Sequence, residues 1–285
     1  MLPQNYAIQQ MNQAEVSQLA AWAKEEGWNP GRSDLALAWG VDPQAFIALR
    51  QGRELLGGGT IISYDGLYGF MGLFIMRKDM RGLGLGRELW LQRRDLLKSR
   101  LQPDASIGMD GVFNMAAFYQ RGGFEFAHRD LRFQGLAKGL VQTDLVNLNR
   151  VPFVELAAFD SQFVPAPRTA FLQAWIQQAD ALGLALLGDQ GLKAYGLVRP
   201  CQEGFKIGPL FANSVADAER VLLGLLAEIA GEPVQIDIPE PNQAGLALAA
   251  KYGLQESFGC ARMYLGSRPN LPLEQIFGLT SFEFG

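Results

Sequence analysis

The sequence predicts an α+β protein made of two consecutive copies of one fold, each a mostly antiparallel, mixed sheet flanked by helices. Strand-like and helix-like segments follow one another in the same order in both halves, which indicates an internal repeat. Within that repeat, the segment Phe70–Phe74 has the place that Ile207–Phe211 has in the second half. At 285 residues the chain is long for one core and sufficient for two domains of ordinary size.

The first half begins with a helix whose start is marked by Asn12 and Glu15, a capping-box pair, and which ends at Gly27. Pro30 and Gly31 then predict a loop. Asp65-Gly66 is typical of a hairpin turn. The elements predicted after the loop are strands Phe46–Arg50, Glu54–Tyr64 and Leu67–Ile75, a helix over 85–100, strand Ser106–Asp110, a short helix Asn114–Arg121 and a closing strand or pair of strands over Phe124–Phe133.

The second half begins after a boundary placed near residues 136–150. We therefore expect domains at 1–136 and 150–270, and we expect the apolar segment 271–285 to pack back on the body. The elements predicted in the second half are helix Ala170–Ala181, strands Ala185–Leu187, Tyr195–Arg199 and Phe205–Phe211, helix Ser214–Ala230, strand Val234–Ile238, helix Asn242–Lys251 and closing strand Met263–Leu265.

Composition excludes several classes of function. A formal net charge of −4 argues against nucleic acid or an anionic membrane as the main partner. Cys201, Cys260 and His128 are too few and too far apart to form a metal site, so no metal is expected. Residues 1–10 show no signal-peptide pattern, and no apolar stretch is long enough to span a bilayer, so we expect a cytoplasmic protein.

A glycine-rich turn, Arg81-Gly82-Leu83-Gly84-Leu85-Gly86, lies between a predicted strand and a predicted helix. Glycines let the backbone approach a ligand closely, and the free N–H groups at a helix start favour an anion. Basic residues crowd the same stretch. The spacing differs from the dinucleotide fingerprint, and no Lys-Ser or Lys-Thr follows Gly86 as a Walker A loop requires. The turn therefore predicts a confined pyrophosphate site.

This turn resembles the acetyl-CoA signature of the GNAT family of N-acetyltransferases, with Arg81, Gly84 and Gly86 at the matching positions. Tyr119, followed by Gly123-Phe124, is similar to a later segment of the same family. The two matches cover about residues 6–133. The chain as a whole resembles the tandem branch of the family, in which a degenerate second domain follows an active first one.

The resemblance implies acetyl-CoA as co-substrate and gives roles to particular residues. Asn114 would contact the coenzyme arm, Tyr119 would protonate the departing thiolate, and a strand edge would pair with pantetheine while the turn holds the pyrophosphate. The edge residues are Phe74, Ile75 and Met76, and the turn residues are Arg81, Gly82, Leu83, Gly84, Leu85, Gly86 and Arg87.

The acceptor side is predicted from position in the resemblance. Trp28, Asn29 and Asp34 fall where the family has its variable acceptor loop. Glu26, Asp34 and Asp110 are candidate bases for the amine proton, directly or through a water, and Asp110 at a strand end is the first choice.

The second half lacks the matching chemistry. The segment Ala212–Asp217 stands where the turn should be and contains no glycine, and Ala249 stands at the position of Tyr119. We therefore expect the second copy to bind no coenzyme.

The sequence thus predicts an N-acetyltransferase acting on a primary amine of a small molecule or peptide. Two alternatives remain: a non-catalytic acyl-CoA sensor, and an acyl- or aminoacyltransferase that uses another donor. We expect a monomer or homodimer, with neither nucleic acid nor membrane as partner.

Overall fold

One continuous mixed sheet of 13 strands runs through residues 5–285, the part of the chain that the computed structural model describes. Residues 1–4, on which the prediction of no signal peptide partly rests, lie outside the described residues. The strands of the first half are β1 (Tyr6–Gln10), β2 (Phe46–Gln51), β3 (Glu54–Tyr64), β4 (Tyr68–Met76), β5 (Ser106–Val112) and β6 (Glu125–Leu136), and its helices are α1 (Gln13–Glu25), α2 (Asp34–Val41), α3 (Leu85–Ser99) and α4 (Ala116–Arg121).

The second half repeats this order. Its strands are β7 (Leu145–Asn147), β8 (Leu182–Gly188), β9 (Gly191–Pro200), β10 (Phe205–Ala212), β11 (Pro233–Pro239), β12 (Gln255–Leu265) and β13 (Ile276–Gly278). Its helices are α5 (Phe153–Asp160), α6 (Thr169–Ile176), α7 (Val215–Glu228) and α8 (Gln243–Lys251). The predicted α+β class, with two tandem copies, is confirmed.

Local signals placed several elements well. Asn12 and Glu15 form the capping box of α1. Asp65 and Gly66 both have positive φ angles, 50° and 73°, as a type I′ hairpin requires. The helix predicted over Ala170–Ala181 is too long, because α6 ends at Ile176 and β8 begins six residues later.

Five elements were not predicted: β1, α2, β7, α5 and β13. Helix α2 is apolar almost throughout, so its sequence carries no period that separates a buried helix from a strand. Strands β7 and β13 have three residues each, which is too short for any pattern.

The halves exchange strands. The sheet order is β1-β2-β3-β4-β5-β12-β6-β11-β10-β9-β8-β7, with β13 paired to β10. Strand β12 of the second half therefore lies between β5 and β6, and β6 of the first half pairs with β11. The domain boundaries near 136 and 150 stay predictions, and the sheet itself runs across them.

Helices cover the sheet and bury its apolar side chains. Helix α3 packs on β2, β3 and β4, and α7 packs in the corresponding way on β8, β9 and β10. Trp90 of α3 is buried against Phe118, Tyr119 and Phe124, which fixes α4 against α3. No helix among residues 5–285 is long and apolar enough to cross a bilayer.

Candidate functional site

Strands β4 and β5 separate part-way along their length. They pair in parallel from Tyr68 opposite Ser106 to Met71 opposite Met109, and beyond that point β4 continues to Met76 without β5 beside it. The backbone edge of the last residues of β4 therefore faces a gap rather than a neighbouring strand.

A β-bulge marks the point of separation. Gly72 lies opposite Thr60 and Ile75 opposite Gly58, so three steps in β4 match two in β3. Leu73 in this bulge has a φ of 52°, which a non-glycine residue adopts only when the surrounding structure holds it there. The bulge turns the edge of β4 toward the gap.

A cavity of about 510 Å³ occupies the gap. It brings together thirteen of the residues that the sequence assigned to the site: Glu26, Trp28, Phe74, Ile75, Met76, Arg81, Gly82, Gly84, Gly86, Arg87, Asp110, Asn114 and Tyr119. Four others do not line it. Leu83 is exposed, Leu85 is buried in the core beneath α3, and Asn29 and Asp34 are held elsewhere, as described below.

The glycine-rich turn has the backbone that its sequence predicted. Gly82 and Gly84 have φ angles of 77° and 86°, in the left-handed region that favours glycine. Gly84 is the N-cap of α3 and no side chain caps that helix, so its first N–H groups are free. A Cβ at Gly86 would come within 3.2 Å of Met76 and 3.5 Å of Phe74. These features fit the polar, negatively charged end of a coenzyme A ester.

The two arginines of the turn differ in what they contact. Arg81 donates to the carbonyl of Met76 (3.0 Å) and to the carboxylate of Glu26 (2.6 Å), so it ties the turn to β4 and α1. Arg87 is exposed and forms no ion pair with any described residue. Arg87 is therefore the free cation of the turn, whereas Arg81 holds the backbone in place.

Tyr119 lies on α4 with its ring between Trp90 and Phe118, at centroid distances of 5.9 and 5.5 Å. A Cβ at Gly111 would come within 2.4 Å of the Tyr119 ring, so β5 makes room for this side chain. Burial raises the pKa of Tyr119, and the nearby Arg93 opposes the rise. The phenol therefore keeps its proton at neutral pH, as a proton donor must.

Arg93 of α3 was not predicted as a site residue. It is fully buried and donates to the carbonyls of Thr60 (2.5 Å) and Gly72 (2.7 Å), where the bulge begins. No carboxylate pairs with it among the described residues, and burial lowers its pKa to about 9, so it remains charged at neutral pH. The sequence shows Arg93 only as one of the basic residues that crowd this stretch and gives no sign that it turns inward to hold the bulge.

Asp110 lines the cavity but its carboxylate is already engaged. Arg262 of β12 donates two hydrogen bonds to it, both at 2.7 Å. Burial raises the pKa of Asp110, and the neighbouring Asp130 adds to that rise against the opposing charge of Arg262. The residue chosen first as base thus has both oxygens bound by a buried guanidinium.

The predicted acceptor loop is fastened to the second half of the chain. Asn29 exchanges hydrogen bonds with the backbone of Glu203, and Asp34 is fully buried in an ion pair with Arg199. Neither residue lines the cavity. The prediction that they contact the substrate is therefore corrected: they hold the loop against the second half of the chain. Trp28 is the residue of this loop that lines the cavity.

The second half also supplies part of the cavity wall. Phe258 and Cys260 come from β12, and Phe282 and Glu283 come from the segment after β13. Burial raises the pKa of Cys260, so its thiol is neutral. The sequence gives no sign that these residues reach the cavity, because only the strand exchange brings β12 next to β5. Within residues 5–285, no group of three or more His, Cys, Asp or Glu side chains is arranged to hold a metal ion.

Comparison with known proteins agrees with this geometry. Residues 13–124 match the acetyltransferase (GNAT) family, and residues 156–278 match an acetyltransferase (GNAT) domain. The chain belongs to the GNAT family and is of the tandem type. Holothin acyltransferase from Pseudoalteromonas sp. (strain SANK 73390) is 25% identical over 267 residues, which cover 93% of this chain and 89% of that relative.

Solved structures share the fold over nearly the whole chain. A candidate acetyltransferase from Pyrococcus horikoshii has a TM-score of 0.85 at 21% identity, covering 100% of this chain and 98% of its own. A tandem GNAT protein from the clavulanic acid biosynthesis pathway has a TM-score of 0.63 at 16% identity, covering 93% and 100%. Both likenesses concern the fold.

The second GNAT domain has the same strand separation, but the chain itself fills it. Strands β10 and β11 pair in parallel only from Phe205 opposite Val234 to Ile207 opposite Ile236. Beyond that point β13 pairs with β10, with Gly278 opposite Leu210. The α7 start is also occupied, because the Ser214 side chain accepts from the N–H of Asp217. The gap and the free helix start of the first GNAT domain therefore have no counterpart here.

Proposed function

We propose that the first GNAT domain transfers an acetyl group from acetyl-CoA to a primary amine of a small molecule or peptide. One observation carries this proposal: a single cavity contains an unpaired strand edge, an uncapped helix start and a buried protonated phenol. These are the parts that attack of an amine on a thioester requires, namely positioning, stabilisation of the carbonyl oxygen and a proton donor.

The strand edge orients the donor. Residues 73–75 have no neighbouring strand on the side of the gap, so an extended amide-containing arm can pair with their backbone as an added strand. Arg93 holds the Gly72 carbonyl and thereby the bulge, which keeps that edge in one conformation. Because this edge is already rigid, the binding energy of the donor aligns its thioester with the acceptor and is not consumed in ordering the protein.

The start of α3 and the side chain of Arg87 hold the negatively charged end of the donor. The first N–H groups of α3 and the positive end of its dipole face the cavity at Gly84 and Gly86, and Arg87 adds a full charge beside them. This arrangement supports a pyrophosphate-bearing donor.

Tyr119 completes the reaction at the sulfur. The amine nitrogen attacks the thioester carbon, and the carbon–sulfur bond then breaks. Tyr119 donates its proton to the departing thiolate and is reprotonated from solvent. Its buried, apolar surroundings keep the phenol in the protonated form that this step needs.

The donor is tested by turnover. Purified protein is given acetyl-CoA or a longer acyl-CoA with a panel of monoamines, polyamines, amino acids and peptides, and release of free thiol is followed. We expect amine-dependent thiol release with acetyl-CoA. Tight coenzyme binding without turnover on any amine would favour the sensor, and preference for a longer donor would favour a broader acyltransferase, the activity stated in the name of the Pseudoalteromonas relative.

We propose further that the second GNAT domain binds no coenzyme, because β13 and Ser214 occupy the places that a donor would use. The net charge of −4 supports an acceptor other than nucleic acid or an anionic membrane. A cytoplasmic monomer or homodimer remains part of this proposal.

A further inference from the structure

The segment 279–285 crosses the mouth of the bulge in β4. A Cβ added at Gly72 would come within 2.0 Å of the Glu283 carbonyl oxygen, so the two backbones are in close contact. The Ser281 hydroxyl accepts from the N–H groups of Glu283 (3.2 Å) and Phe284 (3.1 Å), which fixes the local turn. Glu283 is thereby held beside the gap and lines the cavity.

The carboxylate of Glu283 has no partner. The residue is 3% exposed, its Oε2 atom is buried without a hydrogen bond, and it forms no ion pair with a described residue. Other buried carboxylates of the described chain each have an arginine within 3.2 Å: Glu15, Asp34, Asp110, Asp130, Asp160 and Asp237. Glu283 is the exception.

The charges around Glu283 do not neutralise it by direct contact. The negative charge of Glu283 contributes to the raised pKa values of Arg132 in β6 and Arg199 in β9. Their guanidinium groups, however, are bound by Asp237 and Asp34 respectively. A buried carboxylate without a partner costs folding free energy, so its position beside the reaction gap calls for a chemical explanation.

We infer that Glu283 is the base that takes the proton from the acceptor amine. This inference rests on the proposed function. Glu283 lies beside the bulge where β4 leaves β5, and its Oε2 accepts no hydrogen bond, whereas both oxygens of Asp110 are bound by Arg262. Glu26, the third carboxylate that lines the cavity, is paired with Arg81. Among the described carboxylates of the cavity, Glu283 is therefore the one without an ion pair.

The proton balance assigns Glu283 a defined step. A primary ammonium must lose one proton to free its lone pair, and the nitrogen loses a second as the tetrahedral adduct becomes an amide. Tyr119 supplies one proton to the thiolate. Glu283 accepts the first of the two protons, from the ammonium, and releases it to solvent after the amide leaves. The second nitrogen proton passes to solvent, from which Tyr119 takes one proton back. The sum is one amide, one free thiol and one proton for each ammonium and thioester consumed.

The test is Glu283→Gln, which keeps the shape and removes the base. At neutral pH we expect a kcat about 10²-fold lower, the scale for a positioned general base, with unchanged coenzyme affinity. The loss should shrink as pH rises, because the acceptor then arrives as free amine. Thermal stability should be equal or higher, because an unpaired buried charge is gone.

Two comparisons make the result specific. Glu274→Gln changes an exposed carboxylate of the same part of the chain and should leave rate and pH profile as in the wild type. Glu283→Asp, which keeps a carboxylate, should retain the wild-type pH profile at a reduced rate.

Several outcomes would overturn the inference. Glu283→Gln with wild-type kcat, a loss of equal size at every pH, or the pH-dependent loss appearing in Asp110→Asn instead would each do so. The wild-type protein is measured alongside. Absence of amine-dependent turnover in the wild type would refute the proposed function and this inference together, whereas turnover retained in Glu283→Gln would refute this inference alone.

Discussion

Arg199 of β9 donates two hydrogen bonds to the carboxylate of Asp34 in α2, at N–O distances of 2.8 and 3.0 Å. Both side chains are fully buried, and the ring of Trp175 lies 4.4 Å from the guanidinium carbon. The pair joins the first GNAT domain to the second, on the loop that carries Trp28 to the cavity. The second domain thus fixes one wall of the site.

Breaking this pair should destabilise the whole chain. Asp34→Ala leaves the Arg199 charge buried without its carboxylate, which costs about 3–5 kcal/mol of unfolding free energy. Asp189→Ala, at an exposed hairpin position, is the control and should change little. Urea unfolding measures both. The double variant Asp34→Leu with Arg199→Met should recover part of the loss, and a single variant within about 1 kcal/mol of wild type would argue against a structural role.

A carboxylate in the glycine-rich turn should prevent coenzyme binding. Gly82→Glu places a negative charge where the pyrophosphate is expected. Gly231→Glu is a matched control, because both glycines have positive φ angles, 77° and 87°, and an added Cβ meets nothing within 4 Å at either. Both variants carry similar backbone strain, so only the first should lose acetyl-CoA affinity in calorimetry. Equal affinity in the two folded variants would remove the turn from the site.

Removing the hydroxyl group of Tyr119 should slow the acetyl transfer and leave coenzyme binding unchanged. We expect Tyr119→Phe to lower kcat about 10²-fold with little change in coenzyme affinity, as for loss of a positioned acid. Tyr252→Phe, in the corresponding region of the second domain, is the control and should keep the wild-type kcat. A Tyr119→Phe enzyme with undiminished kcat would show that the thiolate leaves unaided.

Buried tyrosines should make the protein less stable in alkali. Burial raises the pKa values of Tyr64, Tyr68, Tyr119 and Tyr195 above their ordinary 10.0. The unfolded chain therefore releases these protons at a lower pH than the native protein does, and unfolding free energy falls as pH rises past 10. Urea unfolding between pH 8 and 11 measures the slope. A flat profile, or tyrosinate absorbance from all seven tyrosines in native protein at pH 11, would contradict this assignment.

Local chemistry was predictable from sequence, and long-range pairing was not. The left-handed glycines Gly82 and Gly84 depend on neighbouring residues, so the local sequence predicted them. Tyr119, which the family resemblance indicated, also lines the cavity. The roles of Asp34 and Asp110 were not predictable in this way, because their arginine partners lie 165 and 152 residues away in sequence.

Long-range pairing also explains why part of the cavity wall was not predicted from the sequence. Phe258 and Glu283 reach the cavity only because β12 inserts between β5 and β6 and the following segment crosses the bulge. Strand exchange changes which elements are neighbours without changing the order of elements along the chain. A repeat detected in sequence therefore predicts two similar folds and leaves open how they share strands.

The stoichiometry of acetyl-CoA binding tests the central claim most directly, namely that the first GNAT domain alone holds the coenzyme. Calorimetric titration of the intact chain should give one site per chain, and Gly82→Glu should abolish it. Strand β13 and Ser214 fill the corresponding places in the second domain, so no second site is expected. A stoichiometry near two, or one site that survives Gly82→Glu in a folded protein, would contradict the account.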